Sequence, residues 1–151
     1  MKIRSAIFIL ALCLMFGSIT VFSKYNNSVY EKEYKLNIDN REYSIISVST
    51  SETRTMGLSG MKELSEDKTM LFTFDEPDKY GIWMKEMNFS IDILWLDEKS
   101  KIVHIENNIS PKTYPKVFFP PEKSLYVLEA NAGFVLENNL SVGKTLNITQ
   151  K

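Results

Sequence analysis

Residues 81–107 read G-I-W-M-K-E-M-N-F-S-I-D-I-L-W-L-D-E-K-S-K-I-V-H-I-E-N. Two β-rich runs, Ile91 to Leu96 and Lys101 to Glu106, flank the polar turn Asp97 to Ser100, so the stretch predicts a strand, a tight return and a second strand. Alternation places Ile91, Ile93 and Trp95 on one face of the first strand and Asp92, Leu94 and Leu96 on the other. A carboxylate on an otherwise apolar face needs a partner, and Asp92 is therefore the first residue to explain.

Working outward, the same reading predicts strands at Tyr34 to Ile38 and Glu42 to Val48 around the turn Asp39-Asn40, at Thr69 to Phe74, at Leu125 to Ala130 and at Lys144 to Thr149. The run at 69–74 alternates Met70, Phe72 and Phe74, and Pro77 is expected to end it. Along 125–130, Leu125, Val127 and Glu129 face one way and Tyr126, Leu128 and Ala130 the other, so Glu129 repeats the problem of Asp92. Two short helices are expected. One spans about 51–57, capped by Thr50 or Ser51 and ended by Gly57 and Gly60; the other spans about 132–138, with Asn139 as a left-handed stop. Asn107 to Glu122 carries four prolines around Tyr114, Val117, Phe118 and Phe119 and reads as a long ordered loop that covers a sheet face or rims a cleft. The fold class is mainly β, a single barrel or sandwich-like domain whose strands leave few open edges.

Length and composition agree. The chain has 151 residues, 44% hydrophobic and 25% charged, enough to build one core without disulfides. Lys2 and Arg4 precede Ser5 to Phe22, which carries no charge, so residues 1–23 read as a signal peptide or an uncleaved N-terminal membrane anchor. Residues 24–33 read as a polar linker and 34–151 as the domain. Cys13 follows Leu12, which is not the small residue a lipobox wants, and a lipid there would cut the apolar run in half. The expected location is extracytoplasmic: secreted, periplasmic or membrane-tethered. With Lys2 and Arg4 gone, the 18 basic residues become 16 against 19 acidic ones, which gives nucleic acid no electrostatic footprint. Without Cys13 the domain holds no thiol, which excludes a thiol nucleophile and thiolate metal ligands.

The blocks T-R-T-M-G-L-S-G-M (53–61), M-L-F-T-F (70–74), I-W-M-K-E-M-N-F-S-I-D-I-L-W-L-D (82–97) and Y-V-L-E-A-N-A-G-F (126–134) resemble the DUF192 family, small β-rich domains of bacteria and archaea. Its pattern falls on Arg54, Gly57, Leu58, Met70, Leu71, Phe72, Trp83, Met84, Lys85, Asp92, Ile93, Leu128, Glu129 and Gly133. Glu86-Met87 and Ser90 depart from it, all in one loop. The resemblance implies a compact, often exported domain with no established activity, so the family name is not a function.

Chemistry is sought in Arg54, Trp83, Lys85, Asp92 and Glu129. One reading pairs Asp92 with Lys85, and Arg54 and Glu129 complete a structural ion network. A second makes the five residues a pocket floored by Trp83 for a small anionic or sugar-like ligand or a cell-envelope component. A third pairs Asp92 and Glu129 as the carboxylates of an envelope hydrolase. His104, the one histidine, sits on a strand and has no second histidine to form a zinc site, so no metal is expected. No G-x-S-x-G elbow or phosphate loop occurs, and no cofactor is expected. The sequence thus reads as a non-catalytic binding domain, with the hydrolase and a purely structural role as alternatives.

Overall fold

A computed structural model describes residues 33–150. The expected leader, and the expected linker up to its last residue Glu33, lie outside the described residues; Glu33 already opens the first strand. In chain order the elements are β1 (Glu33–Ile38), β2 (Arg41–Val48), α1 (Ser51–Met56), β3 (Lys68–Asp78), β4 (Ile82–Trp83), β5 (Ile91–Leu96), β6 (Ile102–Ile109), β7 (Val117–Phe118), β8 (Ser124–Asn131), α2 (Phe134–Glu137) and β9 (Asn147–Gln150). A 3-10 turn covers Pro111–Thr113, and the Tyr114-Pro115 peptide is cis.

The hairpin that opened the reading forms because its turn is chemically complete. The Asp97 carboxylate accepts the main-chain N–H groups of Lys99 and Lys101 at 2.8 and 2.9 Å, and Ser100 takes a left-handed φ of 59° to close the return. Asp39, with φ 52°, sits in the short turn between β1 and β2. All six residues of β5 are buried, because β5 lies between β6 and β8 with both its faces covered. Each fully buried aliphatic or aromatic side chain there contributes roughly 1.5–3 kcal/mol before ordering entropy.

Seven strands form one sheet in the order β6-β5-β8-β3-β2-β1-β9, and β4 pairs with β7 in a separate two-stranded ribbon. The one parallel pairing of the large sheet is β2 with β3, joined by a crossover that contains α1. The expected barrel or sandwich is corrected here: the sheet is open. Its last strand is only four residues long and is spent on β1. The chain before it reaches β6 through the single bridge Lys101↔Thr145 and a few main-chain bonds, such as Ile102 N–H to Lys144 O at 2.9 Å. A ladder cannot close through one bridge.

The sheet buries both faces. Leu36, Tyr43, Leu71, Leu94 and Leu128 pack on one face beneath α2, whose Phe134 and Val135 are buried against them. Tyr43 meets Phe134 edge-on at 5.0 Å and donates its hydroxyl to Asn138 Oδ1 at 3.0 Å, which fixes α2 over this core. On the other face Met70, Phe72, Ile91, Ile93, Trp95 and Val127 lie under loop residues Leu58, Leu64 and Met84 and under the ribbon residues Ile82 and Phe118. The proline-bearing loop therefore covers a sheet face, as its composition predicts. Two of the boundaries that differ from expectation have a visible cause. Strand β3 runs through Pro77 to Asp78, because its pairing to β8 is interrupted between Thr73 and Asp78 and the proline needs no ladder bond there. The closing strand starts at Asn147 instead of Lys144, since residues 143–146 are bonded to the 100–102 segment.

Candidate functional site

Asp92 does not sit in an ion pair. The partner strand β6 carries a bulge: Ile91 pairs with Ile109 and Ile93 with Glu106, so Asp92 faces both Asn107 and Asn108. The extra residue leaves an orphan amide, and Asp92 Oδ1 accepts the Asn108 N–H at 2.8 Å. Its second oxygen accepts the N–H groups of Gly133 and Val135 at 3.1 and 2.9 Å, at the start of α2. Three main-chain donors thus take the place expected for Lys85 or Arg54, and the carboxylate is held without a counter-ion. Lys85 is on the surface, 4.0 Å from Glu86.

Asp92 and Glu129 are also not neighbours on one face. In the β5–β8 ladder Asp92 stands opposite Ala130 and Ile93 opposite Glu129, so the two carboxyl groups point to opposite sides of the sheet. A hydrolase built on this pair has no common bond to act on, and that reading is withdrawn.

Glu129 instead lies at the foot of a cleft of about 230 Å³. The cleft forms where α1 and the 57–59 turn stand beside the end of β3 and the start of β4. Helix α1 begins with a reciprocal cap, Thr53 N–H to Thr50 Oγ1 at 3.2 Å and Thr50 N–H to Thr53 Oγ1 at 3.1 Å. This cap aims Arg54, in the last turn, back at the sheet. Arg54 Nη1 donates to the carbonyls of Ser49 and Thr73, the second at 3.0 Å, and the guanidinium lies 4.9 Å from the centroid of Phe74. Phe74 is stacked on Tyr80, with ring centroids 3.4 Å apart and planes inclined by 7°. The Tyr80 carbonyl accepts the Trp95 indole N–H at 2.8 Å, which ties the cleft wall to the core.

Two close approaches complete the wall. After α1, Gly57 takes φ 48°, and a Cβ there would come within 3.1 Å of the Phe72 ring. At Gly81 a Cβ would lie 2.5 Å from Phe119 and 2.7 Å from Val117, so only glycine lets the proline-bearing loop press against the chain entering β4. Ser59 donates its hydroxyl to the Lys85 carbonyl at 2.8 Å, and Gly60 its N–H to the Glu86 carbonyl at 2.9 Å; these lash the 57–60 turn to the loop after β4. Trp83 stands at the cleft mouth, 46% exposed, with Tyr114, Val117 and Phe119 also on the surface. Its ring meets Tyr114 edge-on at 6.5 Å.

The electrostatics of the floor are unusual. Glu129 is 5% exposed, and its carboxyl has no hydrogen-bond or ion-pair partner among the described residues. Burial pushes it up to about 8, so at neutral pH it is chiefly the uncharged acid. Such a group is one of the few sites in a fold where desolvation is left uncompensated. Of the five residues singled out in the sequence, the cleft gathers Arg54, Trp83 and Glu129, and leaves out Lys85 and Asp92. Sequence reasoning missed Tyr80, Phe74 and Met87 as lining; the alternation of Met70, Phe72 and Phe74 marked a strand but not which ring would line a cavity. His104 lies half-buried beside Trp95 and 3.3 Å from Glu106, and no group of metal-ligating side chains occurs among the described residues.

The family model DUF192, described as an uncharacterised ACR, matches residues 34–148. No curated protein matches the chain. Among solved structures, one from Sinorhizobium meliloti 1021, bearing the provisional label of transcription regulator, is similar at 26% identity and a TM-score of 0.71, over 80% of this chain and 95% of that one. Another, a protein of unknown function from Novosphingobium aromaticivorans DSM 12444, shares the fold at 21% identity and a TM-score of 0.66, over 76% of this chain and 83% of that one.

Proposed function

This chain belongs to the DUF192 family, and from that premise we propose that its domain is a binding module that takes a small ligand in the cleft above Glu129, without catalysis. The observation that carries the reading is the Glu129 carboxyl, buried at the foot of an aromatic cleft with no partner among the described residues. A polar group left unsatisfied by its own fold costs stability, and a ligand that reaches it recovers that cost as affinity. The regulator label of the Sinorhizobium protein is not carried over, since a net charge of −1 supplies no positive excess for a nucleic acid.

The test is a thermal-shift screen of the full-length protein against small amines, aromatic acids, amides and sugars. A compound present at one hundred times its Kd adds about 2.7 kcal/mol of stability and raises Tm visibly. The expected outcome is a shift that shrinks in Glu129→Gln and in Trp83→Ala. Shifts that survive both substitutions would move the binding site elsewhere and end this proposal. The working compartment is proposed to be extracytoplasmic, on the strength of Lys2, Arg4 and the uncharged run Ser5 to Phe22. Recovery of the native protein from the cytosolic fraction would refute that.

A further inference from the structure

Resting on the binding reading above, we propose that the ligand of the Glu129 cleft is an organic cation, a protonated or quaternary amine on an apolar body, whose nitrogen seats on the Glu129 carboxylate. Three observations converge on this chemistry. The first is the carboxyl itself, buried at the foot of the cleft and unpartnered among the described residues, which is a counter-ion position that none of their cations fills. The second is the lining: Phe72, Tyr80 and Trp83 bring aromatic rings, and Met56 and Met87 bring thioethers, groups whose negative π clouds and polarisable sulfurs accept positive charge, while Phe74 is already covered by Tyr80 and Arg54. The third is Arg54. Its guanidinium sits 4.9 Å over Phe74, so a ring of this cleft already holds a cation. Meanwhile Nη1 is spent on the carbonyls of Ser49 and Thr73. Arg54 keeps Nη2 and Nε beyond that nitrogen, but Lys85 lies outside the lining, so an anion would meet a single guanidinium, beside a carboxyl that repels it once ionised.

Binding is then an exchange. The Glu129 carboxylic acid releases its proton to solvent, and the carboxylate that remains pairs with the ammonium of the ligand, so one positive charge leaves the site as another enters. The ionisable groups facing the cleft are Arg54 from α1 and Tyr80 from the chain entering β4. Arginine stays charged throughout, and burial raises Tyr80 above its ordinary value, so neither titrates between pH 6 and 9. The strands flanking Glu129 present Met70 and Ile93 beside it, which do not ionise. Below the titration of Glu129 the proton is released on binding; above it the site is already ionised. The apolar body would leave the cleft along the exposed strip of Trp83, Val117 and Phe119.

Isothermal titration of the full-length protein with benzylammonium, benzyl alcohol and phenylacetate at pH 6, 7, 8 and 9, each in two buffers of different ionisation enthalpy, decides the matter. The expected result is that benzylammonium binds best, gains affinity ~10-fold per pH unit below the titration of Glu129 and levels off above it, and releases close to one proton at pH 6. Glu129→Gln, with unchanged circular dichroism, should bind benzylammonium weakly and without pH dependence. Benzyl alcohol bound as tightly as the amine, and lost in Glu129→Gln, would overturn the cation while keeping the cleft as the binding site. An affinity for benzylammonium that does not change with pH, or no binding by any of the three, also overturns the cation; the cleft itself is then judged by the wider screen.

Discussion

Asp92 and Glu129 are buried acids on neighbouring strands of one sheet, 1% and 5% exposed, yet their situations are opposite. Asp92 is saturated by three main-chain N–H groups that also fix a bulge in β6 and the start of α2. Glu129 has no partner among the described residues and faces a cleft. Burial alone therefore does not mark a site; what separates structure from function is whether the fold supplies the partners. One carboxyl is committed to the fold; the other, among the described residues, is not.

The largest effect that can break this contrast is at Asp92. Replacing it with leucine strands three amides, one buried and two part-buried, and we expect a loss of about 3–5 kcal/mol in urea unfolding of the full-length protein. A loss under about 1 kcal/mol would show that water reaches those amides and that Asp92 is no more committed than Glu129.

The next effect concerns Glu129 and has a definite sign. Its folded value, about 8, lies above its ordinary value of 4.5, so between these the native state holds more protons than the unfolded one. Stability is therefore full below about pH 4.5, falls as pH rises toward 8, and is flat beyond. The fall should be at most about 5 kcal/mol. Glu129→Gln removes the slope and is the more stable protein at pH 9. Urea midpoints measured from pH 4 to 9 check this; a midpoint that climbs over that range in the native protein but not in the variant would mean that Glu129 is ionised in the fold.

The smallest effect sharpens the comparison by its absence. Lys85 is exposed and touches neither acid, so Lys85→Met should change stability by less than about 0.5 kcal/mol. Combined with Asp92→Leu it should add within roughly 0.5 kcal/mol. A coupling larger than that in the double-mutant cycle would restore the ion pair that the geometry denies.

Much of this was legible in the sequence, and the limits are instructive. Local chemistry read correctly: the Asp97 turn, the Thr50 cap, the left-handed Asn139 and the two faces of β5 and β8 taken separately. Alternation fixes parity within a strand, but the relative parity of two strands depends on register. Nothing in I-D-I-L-W-L or Y-V-L-E-A says that Ile93, and not Asp92, stands opposite Glu129. The partners of Asp92 were hidden for another reason. They are main-chain N–H groups of residues 108, 133 and 135, and a backbone amide has no letter. The search for a partner among the lettered cations therefore chose Lys85 and Arg54. The open sheet was equally out of reach, since the placement of β8 between β5 and β3 is a long-range pairing that no local pattern encodes.

The two tryptophans are sorted by the fold with equal sharpness: Trp95 is wholly enclosed, with its indole N–H bonded to the Tyr80 carbonyl, while Trp83 is 46% exposed at the mouth of the cleft. Their emission should differ accordingly, Trp95 at the blue edge of the spectrum and Trp83 at the red. Quenching by iodide or acrylamide then reports on the cleft mouth alone, and loss of the blue component reports on the core alone. The molecule carries its own pair of optical labels, one for occupancy and one for integrity.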